Sequence, residues 1–586
     1  MTTPLPDHRN LPEAFAERAA ATPGKPAFVF VREPGQGPDV VLTYRDLRRR
    51  ALAVARRLRA RTAPGSRVML ALPTGPEFAE CYLGCLAAGM VAVPVPALDG
   101  RREARERVAG IARDCGASLV LADERDLDAT REWIGETGLD GLAGVSVAGL
   151  AEGEEPAPGA GPDDAGPDDA GLDDAGPERD DLAVLQYTSG STGDPKGVML
   201  THGNILANIE ALRVAGGLGA ADRLGGWIPL HHDMGLFVLL SNALAIGGTC
   251  VLMSPMGFLK RPVEWLRMID RHGVTATAAP SFAFERCARL VTDEHLAELD
   301  LSRLRYMWNG SEPIHAPAMR AFTERFARAG FRPEAMSPGY GLAEATVFVS
   351  LRTAEPVVRT VDGREVVGCG TVAGLEARVV DPRTRRALPD GETGEIWLSG
   401  ASVGRGYWRR PKESAGVFAA GIDGEGGRWL RTGDLGFLLD GELYITGRLR
   451  EILIVHGRNL FPQDLEQIAR DAHPALSGLV GAAFAVRAPD ERVVLLHEVA
   501  PRTAAADLPG IARAVSRRLA TTLGIPAGNV VLVRRGAVRR TTSGKIRRGE
   551  MRARFLDGDV AVLHAELEPA VRRMPGRPLV GAGDAS

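Results

Sequence analysis

A chain of 586 residues exceeds what one hydrophobic core supports, so it is expected to divide into domains, one of them dominant. Its 45% apolar and 25% charged residues are ordinary for a globular protein, and a net charge of −3 gives no electrostatic ground for a nucleic-acid or membrane partner. The six cysteines (Cys81, Cys85, Cys115, Cys250, Cys287, Cys369) form no CxxC pair and have no histidines at zinc spacing, which predicts reduced, mostly buried thiols in a cytoplasmic protein.

The N-terminus, MTTPLPDHRNLPEAFAERAA, lacks the apolar core of a signal peptide. Thr43 to Arg61 has helical periodicity, Arg67 to Leu72 reads as a short buried strand, Phe78 to Ala88 as a helix and Val91 to Val95 as another strand. This alternation predicts α/β layering on a largely parallel sheet. Residues 151–181 break it with a five-residue repeat rich in Asp, Gly, Pro and Ala and without aromatics. Such a segment cannot bury enough apolar area to offset its ordering entropy and reads as a disordered acidic insertion. Its aspartate pairs lack the EF-hand spacing. Met234 to Met253 is uncharged over a membrane-spanning length, but Ser241, Asn242 and Gly247-Gly248 suit a buried helix, a turn and a strand beginning at Thr249. The α/β pattern resumes after Leu182 and runs to about residue 445. A smaller unit follows, with strand 452–457, a helix from Pro462, strands near 482–487 and 493–499, and a helix near 508–523. The expected organisation is therefore 1–447, a smaller domain 448–560, and a frayed tail 561–586.

Leu185 to Val198, LQYTSGSTGDPKGV, carries the strongest chemical signal. A buried-looking strand runs into a loop of Thr, Ser and Gly that ends on Lys196. Small residues let backbone N–H groups and hydroxyls approach a polyphosphate. It is not a Walker loop, because Pro195 precedes the lysine and Gly197-Val198 follow it. Only five lysines (Lys25, Lys196, Lys260, Lys412, Lys545) stand among 71 basic residues, so a lysine is informative in this chain.

The string YTSGSTGDPKGV resembles the phosphate-binding signature of the adenylate-forming superfamily of acyl-CoA synthetases, luciferases and peptide-synthetase adenylation domains. Further signatures follow in order: PLHHDMGL (229–236), NGSEP (309–313), GYGLAEAT (339–346), GETGEIWLSG (391–400), RTGDLGF (431–437), ITGRLREILIVHGRN (445–459) and TTSGKIRR (541–548). FLKRPVEWL, PSFAFERC and FRPEAMSPGYGLAEATVFVS resemble the fatty acyl-AMP ligase branch in particular.

The resemblance implies a large N-terminal domain with mainly parallel sheets and a small mobile C-terminal α/β domain. It also implies conversion of a carboxylic acid and ATP, with Mg2+, into acyl-AMP and pyrophosphate. Thr188, Ser189, Gly190, Ser191, Thr192, Gly193 and Lys196 would cradle the departing phosphates. Tyr340 and Gly341 would lie by the adenine, closed on the other side by Asn309, Gly310, Ser311 and Glu312. Glu344 matches the magnesium-coordinating position, and Thr346 would lie near the α-phosphate. Asp434 would accept the ribose hydroxyls, and Arg448 matches a second ribose- or phosphate-directed position. His232 would border the carboxylate pocket and gate the acyl tunnel. Lys545 matches the lysine that neutralises charge during adenylation, and a hinge is implied at Arg450–Glu451.

Each of these positions has a plainer reading in isolation. An Asp in TGDLG is usually a turn residue. Adjacent His231 and His232 point in different directions and have no HExxH companion, which disfavours zinc. The run around Lys545 could be a basic nucleic-acid patch. Eight ordered motifs outweigh these readings, and the retained Lys196, Glu344, Asp434 and Lys545 argue against a dead carrier-binding module. The acyl acceptor implied by the branch is a carrier-protein phosphopantetheine thiol. Many members carry an insertion after YGLAEAT that is associated with refusing coenzyme A, and this chain has little room for it. Coenzyme A thus stays open as an acceptor, as do aryl and amino acids as substrates.

Overall fold

The computed structural model describes residues 5–98, 102–139, 141–148, 176–188, 195–361, 364–455, 458–488, 491–523, 528–540 and 545–574. Most of the acidic insertion (151–175), the loop residues Ser189, Gly190, Ser191, Thr192 and Gly193, and the end of the expected tail lie outside these. The chain separates into two compact units: the larger runs to Thr446, and the smaller comprises the chain from Gly447 together with Gly433–Leu435.

The first unit holds two large sheets. In the six-stranded one the order is Ala143–Ser146, Leu119–Ala122, Arg67–Leu70, Val91–Pro94, Leu182–Thr188, Lys196–Thr201. All its pairs are parallel except the last, which is antiparallel. Val91–Pro94 and Leu119–Ala122 are buried at every residue, as strands covered on both faces must be. The nine-stranded sheet has a parallel centre of Met336–Tyr340, Tyr306–Asn309, Ala276–Ala279, Arg223–Gly226, Thr249–Met253 and Pro26–Val31. Its outer strands pair antiparallel.

Local sequence explains how the helices dock. Helix Tyr44–Arg59 starts at a capping box in which Thr43 and Asp46 satisfy each other's backbone N–H groups. It buries Tyr44, Leu47, Leu52, Val54 and Leu58 along one side, against helix Pro76–Ala87. A Cβ at Gly84 would stand 2.6 Å from Val54 Cγ1 and 2.8 Å from Ala51 O, so a glycine sets how closely these helices pack. The uncharged stretch 234–253 is core, as expected: a π-helix Met234–Ser241, a short helix Asn242–Ala245 and the strand Thr249–Met253, with every residue of these elements buried. Among the described residues no helix is long and apolar enough to cross a membrane. All six cysteines are free and buried.

After the YGLAEAT motif the chain forms an antiparallel hairpin, Val358–Val361 with Arg364–Val367. Arg320 grips Glu365 with two bonds of 3.0 and 2.9 Å, and Arg359 Nε donates to Tyr444 Oη at 3.0 Å. The short segment expected there is thus an ordered hairpin fastened to its surroundings.

His202, at the start of helix His202–Ala215, is fully buried, and neither ring nitrogen has a hydrogen-bond partner. Desolvation pushes its pKa down to about 4, against a smaller upward pull from Asp181. The unfolded chain therefore takes up a proton near pH 6.5 that the folded chain refuses. The associated stability is complete above that pH and is lost as pH falls toward 4. Between pH 7.5 and 5 this residue alone should cost about 2 kcal/mol, and His202→Gln should reduce the pH dependence of the urea midpoint accordingly.

The second unit is a four-stranded sheet ordered Gly481–Arg487, Glu491–Val499, Val530–Arg534, Val562–Glu566. Alternation along Val530–Arg534 sends Val530 and Leu532 to one face, with Leu465, Ile511 and Val515 from helices Pro462–Arg470 and Leu508–Leu523. Val531 and Val533 face Phe484, Met551 and Phe555, the last two from helix Arg548–Leu556. The expected tail from 561 is corrected: Val562–Glu566 pairs antiparallel with Val530–Arg534, and helix Pro569–Arg572 buries Val571. Backbone pairing at the sheet edge, which local composition does not report, orders this segment.

Candidate active site

The Ser/Thr/Gly loop joins two antiparallel strands, and Thr188 and Lys196 face each other at its base. Lys196 Nζ is ion-paired with Glu413 and lies 5.4 Å from the centre of the Tyr407 ring. Tyr407 Oη donates to Glu344 Oε1 at 2.8 Å. Lysine, tyrosine and glutamate therefore form a continuous chain of contacts across three distant stretches of sequence.

A strap of residues 402–408 holds this arrangement. Met199 N donates to Gly406 O at 2.9 Å and Trp408 N to Gly197 O at 2.8 Å, which zips the strap to the strand that begins at Lys196. Its other end meets the GYGLAEAT turn: Gly404 N donates to Glu344 O at 2.9 Å, and Thr346 Oγ1 to Ser402 O at 2.8 Å. Thr346 is fully buried with φ of 72°, a conformation a branched residue rarely adopts and that surrounding contacts must hold. Asn208 helps to hold it, donating to Ala345 O and Phe348 O at 3.1 and 2.8 Å and accepting from Phe348 N.

Asn309 and Tyr340 end two adjacent parallel strands, at the carboxyl edge where open α/β sheets bind ligands. Asn309 is fully buried, and its side-chain oxygen lies 3.1 Å from Ser281 Oγ. Glu312 Oε1 accepts from Phe282 N at 3.0 Å. Ser311 has φ of 71°, and its hydroxyl is 3.4 Å from His232 Nε2, while His232 Nδ1 is 2.7 Å from Asp233 Oδ1. A Cβ on Gly310 would lie 3.1 Å from Gly339 O, and one on Gly341 would lie 1.6 Å from Val347 O. These turns are glycine-dependent because backbone passes against backbone.

The first unit thus brings together Lys196 with Glu344, His232 with Ser311, and Tyr340, Gly341 and Thr346 in one turn region. The second unit holds Asp434, Arg448 and Lys545. There Arg448 Nε donates to the buried Asp434 at 3.0 Å, an acceptor engaged by a half-exposed guanidinium. Lys545 follows the undescribed 541–544 and immediately precedes an isolated bridge between Arg540 and Ile546. The sequence reading did not anticipate Tyr407, Glu413 or Asn208. Their partners lie 63 to 217 residues away for the first two and up to 140 for Asn208, and no local pattern reports such contacts. The GYW string just after a glycine-rich turn was the one available hint.

A lysine at the start of the strand that follows the Ser/Thr/Gly segment, joined through Tyr407 to the glutamate of GYGLAEAT, and the NGSEP and GYGLAEAT turns on adjacent strand ends are the features of an adenylate-forming site. The chain belongs to the AMP-binding enzyme family, whose sequence profile matches residues 15–408. It is 34% identical to the medium-chain-fatty-acid–[acyl-carrier-protein] ligase JamA of Moorena producens, across 94% of this chain and 96% of that one. Identity is likewise 34% to the long-chain-fatty-acid–AMP ligase FadD26 of Mycobacterium marinum, over 93% and 97% of the two chains. A solved structure from work on fatty acyl-adenylate ligases of E. coli and L. pneumophila superposes with a TM-score of 0.81 at 30% identity, covering 94% of this chain and 98% of the other.

Proposed function

We propose that this protein is a fatty acyl-AMP ligase that activates a medium- or long-chain fatty acid with ATP, releases pyrophosphate and passes the acyl group to the phosphopantetheine thiol of an acyl carrier protein. The observation that carries this reading is the chain Lys196–Tyr407–Glu344 at the base of the Ser/Thr/Gly loop, in a protein that matches fatty-acid ligases along almost its whole length. Both reactants are anions, so the work of the site is to hold them in line and to fix positive charge around the phosphates. Lys196 supplies such charge, and Glu413 fixes the position of its ammonium. Tyr407 orients the Glu344 carboxylate through its hydroxyl.

Glu344 suits a hard cation: magnesium is commonly held by one or two carboxylates together with substrate phosphates. Magnesium bound there would offset charge on the phosphate oxygens. Tyr340, Gly341, Asn309, Gly310, Ser311 and Glu312 frame the adenine, with Thr346 toward the α-phosphate, and Asp434 and Arg448 take the ribose. His232 borders the carboxylate pocket, held from both sides by Asp233 and Ser311. Lys545 completes the charge neutralisation, and the protein works in the cytoplasm.

The experiment is direct. Purified protein is given ATP and a panel of fatty, aryl-alkanoic and amino acids, and pyrophosphate and acyl-AMP are measured. Coenzyme A or a holo-carrier protein is then added. Acyl-carrier formation supports the reading; thioester on coenzyme A alone refutes the acceptor assignment, and activity confined to other acid classes refutes the fatty acid. Aryl-alkanoic acids belong in the panel because a 4-hydroxyphenylalkanoate adenylyltransferase of Mycobacterium tuberculosis is 33% identical over 95% of this chain. Tyr407→Phe removes one hydrogen bond to a carboxylate, so kcat for acyl-AMP formation should fall roughly 5- to 10-fold; an unchanged kcat would dismiss the orienting role.

A further inference from the structure

The second unit contains a buried cation that the chemistry above leaves unused. Arg548 stands three residues after Lys545, at the start of helix Arg548–Leu556. Its Nε and Nη2 donate to the two oxygens of Glu466 at 2.7 and 2.8 Å, and its Nη1 donates to Glu451 Oε2 at 2.7 Å. The carboxylates come from two other elements, helix Pro462–Arg470 and the single turn Leu449–Glu451. Glu466 is 3% exposed and also accepts from Ala483 N at 2.9 Å. Desolvation opposes the charge on Arg548, but Glu466 and Glu451 outweigh it and hold the group protonated. Planar guanidinium donors fit such a three-bond arrangement; a lysine could not reproduce it.

The chain before Arg548 is closed on itself. Arg547 N donates to Arg539 O at 2.9 Å, and Arg540 pairs with Ile546, so the residues that follow Lys545 are held to the segment Arg539–Arg540. On the incoming side, Glu498 Oε1 accepts from Gly536 N and Val538 N at 2.8 and 3.1 Å. The described residues before and after this segment are thus held, and the contact nearer the lysine leads to the turn at Arg450–Glu451.

We propose that Arg548 is a positioning residue for the Lys545 ammonium, and that Glu451 is the contact through which it is held in register with the turn Leu449–Glu451. The proposal rests on the adenylation role given to Lys545. The two bonds to Glu466 already neutralise Arg548 and fasten its helix. The bond to Glu451 therefore adds orientation relative to the turn rather than charge balance.

The test compares full-length Glu451→Gln, Lys545→Ala, the double variant and the unaltered enzyme. Acyl-AMP formation is measured separately from thioester formation starting from supplied acyl-AMP. Glutamine keeps the size but exchanges the charge-assisted bond to Arg548 for a weaker neutral one that no longer fixes the turn, and the Arg548–Glu466 pair keeps the domain folded. In Glu451→Gln, kcat for acyl-AMP formation should fall roughly 10- to 100-fold, with KM for ATP within about two-fold and transfer from supplied acyl-AMP retained. In the Lys545→Ala background the same change should add nothing further. Losses that multiply, an equal fall in both half-reactions, or a normal rate in Glu451→Gln would each overturn the proposal. Full activity in Lys545→Ala would refute the lysine's assignment and this proposal with it. Activity of the unaltered enzyme on acids other than fatty acids would revise the substrate and leave the positioning test standing.

Discussion

Lys545→Ala is expected to lower the rate of acyl-AMP formation by about 10²- to 10³-fold, the usual cost of removing one fixed donor to charge that develops in the transition state. ATP affinity should stay within a few-fold of normal, because the lysine acts on charge that builds during attack. Pyrophosphate release and nucleotide titration read the two quantities separately. Lys545→Arg should not restore the rate, since a bulkier planar guanidinium replaces a compact ammonium. Near-normal turnover in the alanine variant, or loss of ATP binding in proportion to rate, would refute the role. The chain's scarcity of lysine sharpens this expectation: where arginine serves almost everywhere, a lysine kept between Gly544 and Ile546 marks a need that arginine does not meet.

Gly341→Ala should be severely damaging to the first unit. The new Cβ would lie 1.6 Å from Val347 O and 2.8 Å from Val347 C, and both are backbone, so no rotamer change relieves the overlap. The turn that must give way carries Glu344 and the strained, fully buried Thr346. Destabilisation of roughly 3 kcal/mol or more is expected, with loss of ATP binding in whatever protein remains folded. Gly310→Ala, whose Cβ would meet Gly339 O at 3.1 Å, should be much milder. Thermal melting with ATP titration checks both, and a Gly341→Ala protein with normal melting and affinity would show that the turn yields cheaply.

Much of the architecture was legible because the local signals agree with the fold. The capping pair Thr43 and Asp46 starts its helix where the periodicity begins. The uncharged stretch at 234–253 ends its helical run before Gly247-Gly248 and enters a strand at Thr249, as its small residues indicate. That Met234–Ser241 winds as a π-helix was not legible: all eight residues are buried, so no alternation of apolar and polar positions reveals the turn width. The ordered strand Val562–Glu566 was missed for a related reason, since its order comes from pairing with Val530–Arg534 rather than from its own composition. The sheet edge decides it.

The sequence by itself determined the class of chemistry. The Thr/Ser/Gly loop ending on Lys196 points to phosphate recognition, which needs small residues and fixed donors within a few consecutive positions, and the resemblance of eight ordered motifs to those of adenylate-forming enzymes implies the reaction. Only the tertiary structure decided which groups hold those residues in place. Tyr407 between Lys196 and Glu344, Asn208 behind Thr346, and Arg548 between Glu466 and Glu451 act through side-chain contacts between residues far apart in the chain, 63 positions for Tyr407 and Glu344, 140 for Asn208 and Phe348, and 82 and 97 for Arg548. Contacts at such separations leave no local pattern, because nothing but the folded packing of strands and helices brings their partners within hydrogen-bonding distance.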